Sequence, residues 1–227
     1  MRTATRSRSV RLRVLALAVA AVGLTGACGF GSTGGVVVGS GAVTSETRSV
    51  AAFTEVQANA GIQLEVASGP RHVEVTAQPN IIDITTTEVS GSRLTVDTTS
   101  GYVTPSGLVV KVTAPGLTGI ELTGGASASG SAGTSKDFTV QMSGGARATL
   151  SGSTGTLDLK ASGGAIPNLG ELRATNATVD LSGGVVATLT VSDSLTGTAS
   201  GGVVLTLTTP PKSSQVETSG GAVVRNP

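Results

Sequence analysis

Few side chains of this 227-residue chain could do chemistry, and their spacing argues against most of it. His72 is the only histidine and Cys28 the only cysteine, which leaves too few ligands for a zinc site built from those residues. His72 could serve a Ser-His-Asp relay, but no Gly-x-Ser-x-Gly elbow accompanies it. Polysaccharide cleavage needs two carboxylates flanking one bond. The acids Asp137, Asp158, Asp180 and Asp193 stand at different offsets from the Gly-Gly pairs that punctuate the second half, and only Glu121, Asp180 and Glu217 share one. The Gly-Gly pairs are followed by Ala or Val. They therefore lack the Gly-x-Asp continuation of a calcium-binding nonapeptide and the Lys of a phosphate loop.

The elements that must position these residues are announced by a period. Gly-Gly pairs occur at Gly124-Gly125, Gly144-Gly145, Gly163-Gly164, Gly183-Gly184, Gly201-Gly202 and Gly220-Gly221, at intervals of 20, 19, 20, 18 and 19 residues. Ser143, Ser162, Ser182, Ser200 and Ser219 precede five pairs and Thr123 the first. Such a period is the mark of a stacked repeat. Four positions before each pair stand Ile120, Val140, Leu159, Val179, Gly197 and Val216, and two before stand Leu122, Met142, Ala161, Leu181, Ala199 and Thr218. Between them lie Glu121, Gln141, Lys160, Asp180, Thr198 and Glu217. Alternation with period two puts the first two columns inside and the third outside. The glycines are expected at corners, where positive φ and close backbone approach are needed. A serine ladder is expected beside them.

Stacked rungs of this kind make a parallel β-solenoid, with neighbours ~4.8 Å apart. At that spacing the acids of the shared column are ~10 Å or more apart, too far for a carboxylate pair across one bond. The expected class is all-β, a parallel β-solenoid with 19–20-residue rungs over 119–227, preceded by further short strands over 48–118. In that earlier part, runs rich in Val, Ile, Leu and Thr alternate with turn signals at Ser68-Gly69-Pro70, Pro79-Asn80, Ser90-Gly91 and Pro115-Gly116. No helix is expected there. Three Phe, one Tyr and no Trp suit a narrow core of Ala, Val and Leu.

Residues 1–27 stand apart from this pattern. Arg2, Arg6, Arg8, Arg11 and Arg13 precede an apolar stretch from Val14 to Leu24, too short to span a bilayer. Small residues then lead into Thr25-Gly26-Ala27-Cys28, which resembles a bacterial lipoprotein signal, although Thr25 stands where that signal usually has Leu. The resemblance implies cleavage before Cys28 and a diacylglyceride on its sulfur. The remaining chain has ten basic and 14 acidic residues, a formal charge of −4. That speaks against nucleic acid as a partner and leaves acyl chains, not charge, as the expected hold on a membrane. Residues 28–47 are Gly/Ser-rich and read as a tether. Within them Val36-Val37-Val38 is either inert or an edge strand.

The segments SVAAFTEVQANAGIQLEVASGPRHVEVTAQPN, GSRLTVDT and VVKVTAPGLTGIELTGGASASG run from Ser49 to Gly130. With Phe53, Gly61-Ile62 and the Pro115-to-Gly124 turn, they resemble the family of "putative auto-transporter adhesin" head domains. That family implies a solenoid head and brings no catalytic residue.

The expected function is therefore a non-catalytic, lipid-anchored protein of the extracytoplasmic membrane face, without cofactor or metal. It would present Thr/Ser-rich faces to wall polymer or another envelope protein. A glycan-active β-helix lyase or hydrolase is the alternative, and a self-assembling module a third. A monomer is expected because Arg225 and Pro227 guard the last strand's edge.

Overall fold

The computed structural model describes residues 35–227. The signal segment, Cys28 and the first part of the tether lie outside them. The first strands are β1 (Val37–Val38), β2 (Thr44–Thr47), β3 (Glu55–Ala58), β4 (Gln63–Ser68) and β5 (His72–Ala77). A single helical turn, α1 (Pro79–Ile82), leads to β6 (Thr85–Ser90), β7 (Arg93–Thr98), β8 (Tyr102–Val103), β9 (Val109–Ala114) and β10 (Gly119–Leu122). The repeats form the long bent strands β11 (Ser127–Met142), β12 (Arg147–Ala161), β13 (Ile166–Gly183) and β14 (Val186–Gly201). The chain ends with β15 (Val204–Leu207), β16 (Ser213–Gly220) and β17 (Val223–Arg225).

The chain is all-β, a parallel solenoid of about five turns preceded by other strands. One flank runs β7, β3, β10 and then the C-terminal halves of β11 to β14, ending at β16. The other runs β9, β4 and then the N-terminal halves of β11 and its successors to β15 and β17. The early strands are coils of the same stack, but not in chain order. The β3–β4 coil lies between the later β7–β9 coil and the β10–β11 coil. Antiparallel strands finish that end: β6 on β7, and β2 and β5 beyond β9.

Two local findings depart from the sequence reading. The stretch read as tether contributes two strands: β1, paired in parallel with β8, which is the edge strand offered as one reading of Val36-Val37-Val38, and β2, antiparallel to β5, which that reading lacked. A two-residue strand has no periodicity to detect, and only its partner defines it. The Pro79-Asn80 turn is one turn of α-helix. Pro at the first helical position loses no hydrogen bond there, and Ile81 and Ile82 are buried.

The rungs are held by in-register columns. Ile120, Val140, Leu159 and Val179 lie side by side and buried, as do Leu122, Met142, Ala161 and Leu181. Each buried Leu or Val contributes roughly 1.5–3 kcal/mol relative to exposure. One member breaks the column: Gly197, with φ +134°, pairs with Val179 and Val216. At the corners the first glycine of every pair has positive φ, from +68° at Gly124 to +84° at Gly201. The corners are closed by backbone: the amide of Gly145 donates to the carbonyl of Gly124 at 2.8 Å, and Gly164 to Gly144 likewise. A Cβ on Gly144 would sit 2.8 Å from the carbonyl oxygen of Gly124. The serines stack in register beside these bonds, Ser182 on Ser200 and Ser200 on Ser219, as the expected ladder requires.

The corner also extends one rung beyond the repeats. Asn59-Ala60-Gly61 stacks on Thr123-Gly124-Gly125, since Gln57 and Ala58 pair with Glu121 and Leu122. Ala60 takes φ +54° and is the one non-glycine with positive φ among the described residues.

Candidate functional site

The β7-to-β16 flank is a sheet eight strands wide whose outward positions form straight rows. The middle row reads Thr95, Gln57, Glu121, Gln141, Lys160, Asp180, Thr198 and Glu217. Beside it stands the corner row, with Ser143, Ser162 and Ser182 at its centre. The two rows line a shallow open groove of about 290 Å³ whose walls include Glu121, Gln141, Lys160 and Asp180. A second hollow of about 110 Å³ adjoins it, lined by Glu55, Arg93, Thr139 and Glu121.

The charges in these grooves are mostly paired. Arg93 reaches from β7 over β3, with Nη2 3.1 Å from Glu55 Oε2 and Nη1 2.9 Å from Glu121 Oε2. Lys160 Nζ lies 3.7 Å from Asp158 Oδ2. Thr198 Oγ1 donates to Asp180 Oδ1 at 3.3 Å. The column of Glu121, Asp180 and Glu217 is thus confirmed as a row, but Glu121 and Asp180 are three strands apart, ~14 Å, beyond either glycosidase geometry. Two features of the site involve residues outside the shared column. Asp158 lies in the neighbouring outward row, two residues from Lys160, so Asp158, Lys160 and Asp180 form one mixed-charge cluster. Arg93 belongs to a coil with no Gly-Gly pair, so nothing local marked it as Glu121's neighbour.

The remaining candidates are not brought together. His72 is exposed on β5, opposite Thr113. Asp193 pairs with Lys212 at 2.9 Å. Among the described residues no three His, Cys, Asp or Glu side chains gather as a metal site would require. Tyr102 is half-buried, and burial raises its hydroxyl pKa above the ordinary 10.0. Chemically, the arrangement is a flat array of alternating donors and acceptors repeating every ~4.8 Å. It can hold an extended polar chain by many hydrogen bonds. It offers no activated nucleophile.

Comparisons with known proteins agree on the fold. No curated protein matches the chain in sequence. A crystal structure described as a "putative adhesin" from Bacteroides fragilis is similar with TM-score 0.67 at 14% identity, over 84% of this chain and 100% of that one. A "putative adhesin" from Parabacteroides distasonis has TM-score 0.57 at 18% identity, covering 85% of this chain and 100% of that one. A "putative lipid binding protein" from the same species has TM-score 0.53 at 13% identity, again over 85% and 100%. At these identities the likeness concerns the fold. The family model described as "Putative auto-transporter adhesin, head GIN domain" matches residues 52–211, and the chain belongs to that family.

Proposed function

We propose that this protein is a non-catalytic binding module of the cell envelope, anchored through lipid on Cys28. On this reading it offers its β7-to-β16 flank to wall polymer or to another envelope protein. The observation that carries the reading is the middle row, in which hydroxyl, amide and charged groups repeat at strand spacing, with its carboxylates Glu121 and Asp180 three strands apart and Glu121 held by Arg93. A repeating hydroxyl-rich polymer can satisfy such an array by many weak contacts, each of ordinary hydrogen-bond strength. Family membership supports an adhesive role. The location on the outer membrane face rests on the lipoprotein-like segment ending at Cys28.

The test is solid-phase binding of the chain from Cys28 onward to purified peptidoglycan and wall glycans, with released reducing ends and unsaturated sugars measured in the same wells. Saturable binding without release is expected. Release that tracks protein concentration and vanishes on Asp180→Asn would establish the lyase or hydrolase instead. Mass analysis of Cys28 in the producing cell tests the anchor separately: an unmodified thiol on the mature chain would overturn it.

A further inference from the structure

The small β1–β8 sheet turns an apolar face outward. Val37 and Tyr102 pair and point inward, half-buried, while Val36, Val38 and Val103 are 63%, 66% and 58% exposed. Val38 pairs with Val103, and alternation puts Val36 on the same side. The sheet is held firmly. Asn80 of α1 donates from Nδ2 to the carbonyl of Val38 at 2.8 Å, and its Oδ1 accepts from the amide of Ser40 at 2.8 Å. Gln78 binds the Thr104 and Ser106 hydroxyls of the loop after β8. The three segments that meet here, residues 35–45, 77–82 and 98–110, contain no charged side chain.

We propose that this valine face rests on the lipid bilayer, so that the solenoid stands with its α1 end at the membrane and β16–β17 pointing away. This orientation builds on the proposed lipid anchor at Cys28. Residue 28 lies eight positions before Val36, a reach of at most ~28 Å when fully extended. Val36 can therefore stand no farther than ~28 Å from the residue that carries the acyl chain, within reach of the lipid surface. Residues 29–45 bear no charge, so nothing in the connection resists the interface, and no basic cluster calls for anionic lipid. Exposed valines on an uncharged, rigidly held platform bury apolar area at the interface at little cost in ordering. An anchor made of acyl chains plus an apolar platform also fixes orientation, which a flexible tether alone does not.

The chain contains no Trp and one Cys, which makes the test direct and independent of lipidation in the cell. The chain from Cys28 onward is coupled through that thiol to maleimide-headgroup lipid in neutral phosphatidylcholine vesicles. A single Trp is introduced as Val38→Trp, as Val103→Trp or, at the far end, as Val223→Trp. For the two β1–β8 variants the expected result is blue-shifted emission and at least twofold quenching by bromine-labelled acyl chains. Val223→Trp is expected to be unquenched. If Val38→Trp disturbs the fold by circular dichroism, Val103→Trp carries the reading. Unquenched emission from folded, vesicle-coupled β1–β8 variants overturns the proposal. So does emission that shifts only when another envelope protein is added, which assigns the face to that protein. An unmodified Cys28 in the cell sinks the anchor, whereas the quenching result judges the face itself.

Discussion

Ala60 lies directly against Gly124, and the two share one backbone conformation: φ is +54° at Ala60 and +68° at Gly124. The nitrogen of Ala60 is 3.6 Å from where a Cβ on Gly124 would stand. The corner that repeats six times as Gly-Gly is therefore made a seventh time with an alanine. For an L-residue with a Cβ, this left-handed conformation costs about 1–2 kcal/mol. Ala60→Gly should raise the unfolding free energy by about 1 kcal/mol, after allowing for the greater freedom glycine has when unfolded. Urea unfolding followed by circular dichroism measures it. An unchanged or lower midpoint would mean that Ala60 is not strained.

Gly197 and Gly91 separate two reasons for glycine. Both have positive φ, +134° and +60°. Around Gly91, in the turn between β6 and β7, a Cβ would meet nothing within 4 Å. A Cβ on Gly197 would strike the carbonyl oxygen of Val179 on the adjacent rung and lie 2.8 Å from its carbon. Gly91→Ala should cost about 1 kcal/mol. Gly197→Ala should cost more than about 2 kcal/mol, because the obstacle is backbone that cannot rotate away. Equal losses in urea unfolding would show that rung contact adds nothing to the conformational term.

Tyr102 predicts a loss of stability in alkali. Burial raises its pKa in the folded state above the ordinary 10.0. Below pH 10 the phenol is protonated in both states, and the term is zero. As pH rises past 10, the unfolded chain loses its proton first, so the folded state binds more protons and stability falls until pH exceeds the folded pKa. As the only tyrosine in a chain without tryptophan, Tyr102 accounts for the whole phenolate absorbance. Spectrophotometric titration should give a midpoint above 10. Tyr102→Phe should abolish that part of the decline in urea stability which begins at pH 10. A wild-type midpoint at or below 10 would contradict the burial.

Much of this architecture is legible in the amino-acid sequence because it is local. Alternation places Val140, Leu159 and Val179 inside, and the Gly-Gly period places the corners. What is not legible depends on partners distant in the chain. The corner at Asn59-Ala60-Gly61 is hidden because alanine stands where glycine marks the others. The position of the β3–β4 coil between later coils follows from pairings such as Val56 with both Leu94 and Ile120, which no local pattern encodes. The same holds for the proposed binding face. Its middle row can be read from offsets, but Arg93 joins Glu121 only through that interleaving. The valine face of β1–β8 needs Tyr102 and Val103 to arrive from 65 positions away.

The central claim is that the β7-to-β16 flank binds polymer, and one strand supplies both the test and its control. Lys160 and Arg147 both lie on β12, on different flanks of the coil. Each is exposed, so Lys160→Glu and Arg147→Glu make the same charge change on the same scaffold. Binding of each variant to purified wall glycan, in the polymer preparation that the wild type binds most tightly, is the decisive measurement. The account predicts at least tenfold weaker binding for Lys160→Glu and less than a twofold change for Arg147→Glu. Equal binding by the two variants, or a loss confined to Arg147→Glu, would contradict it.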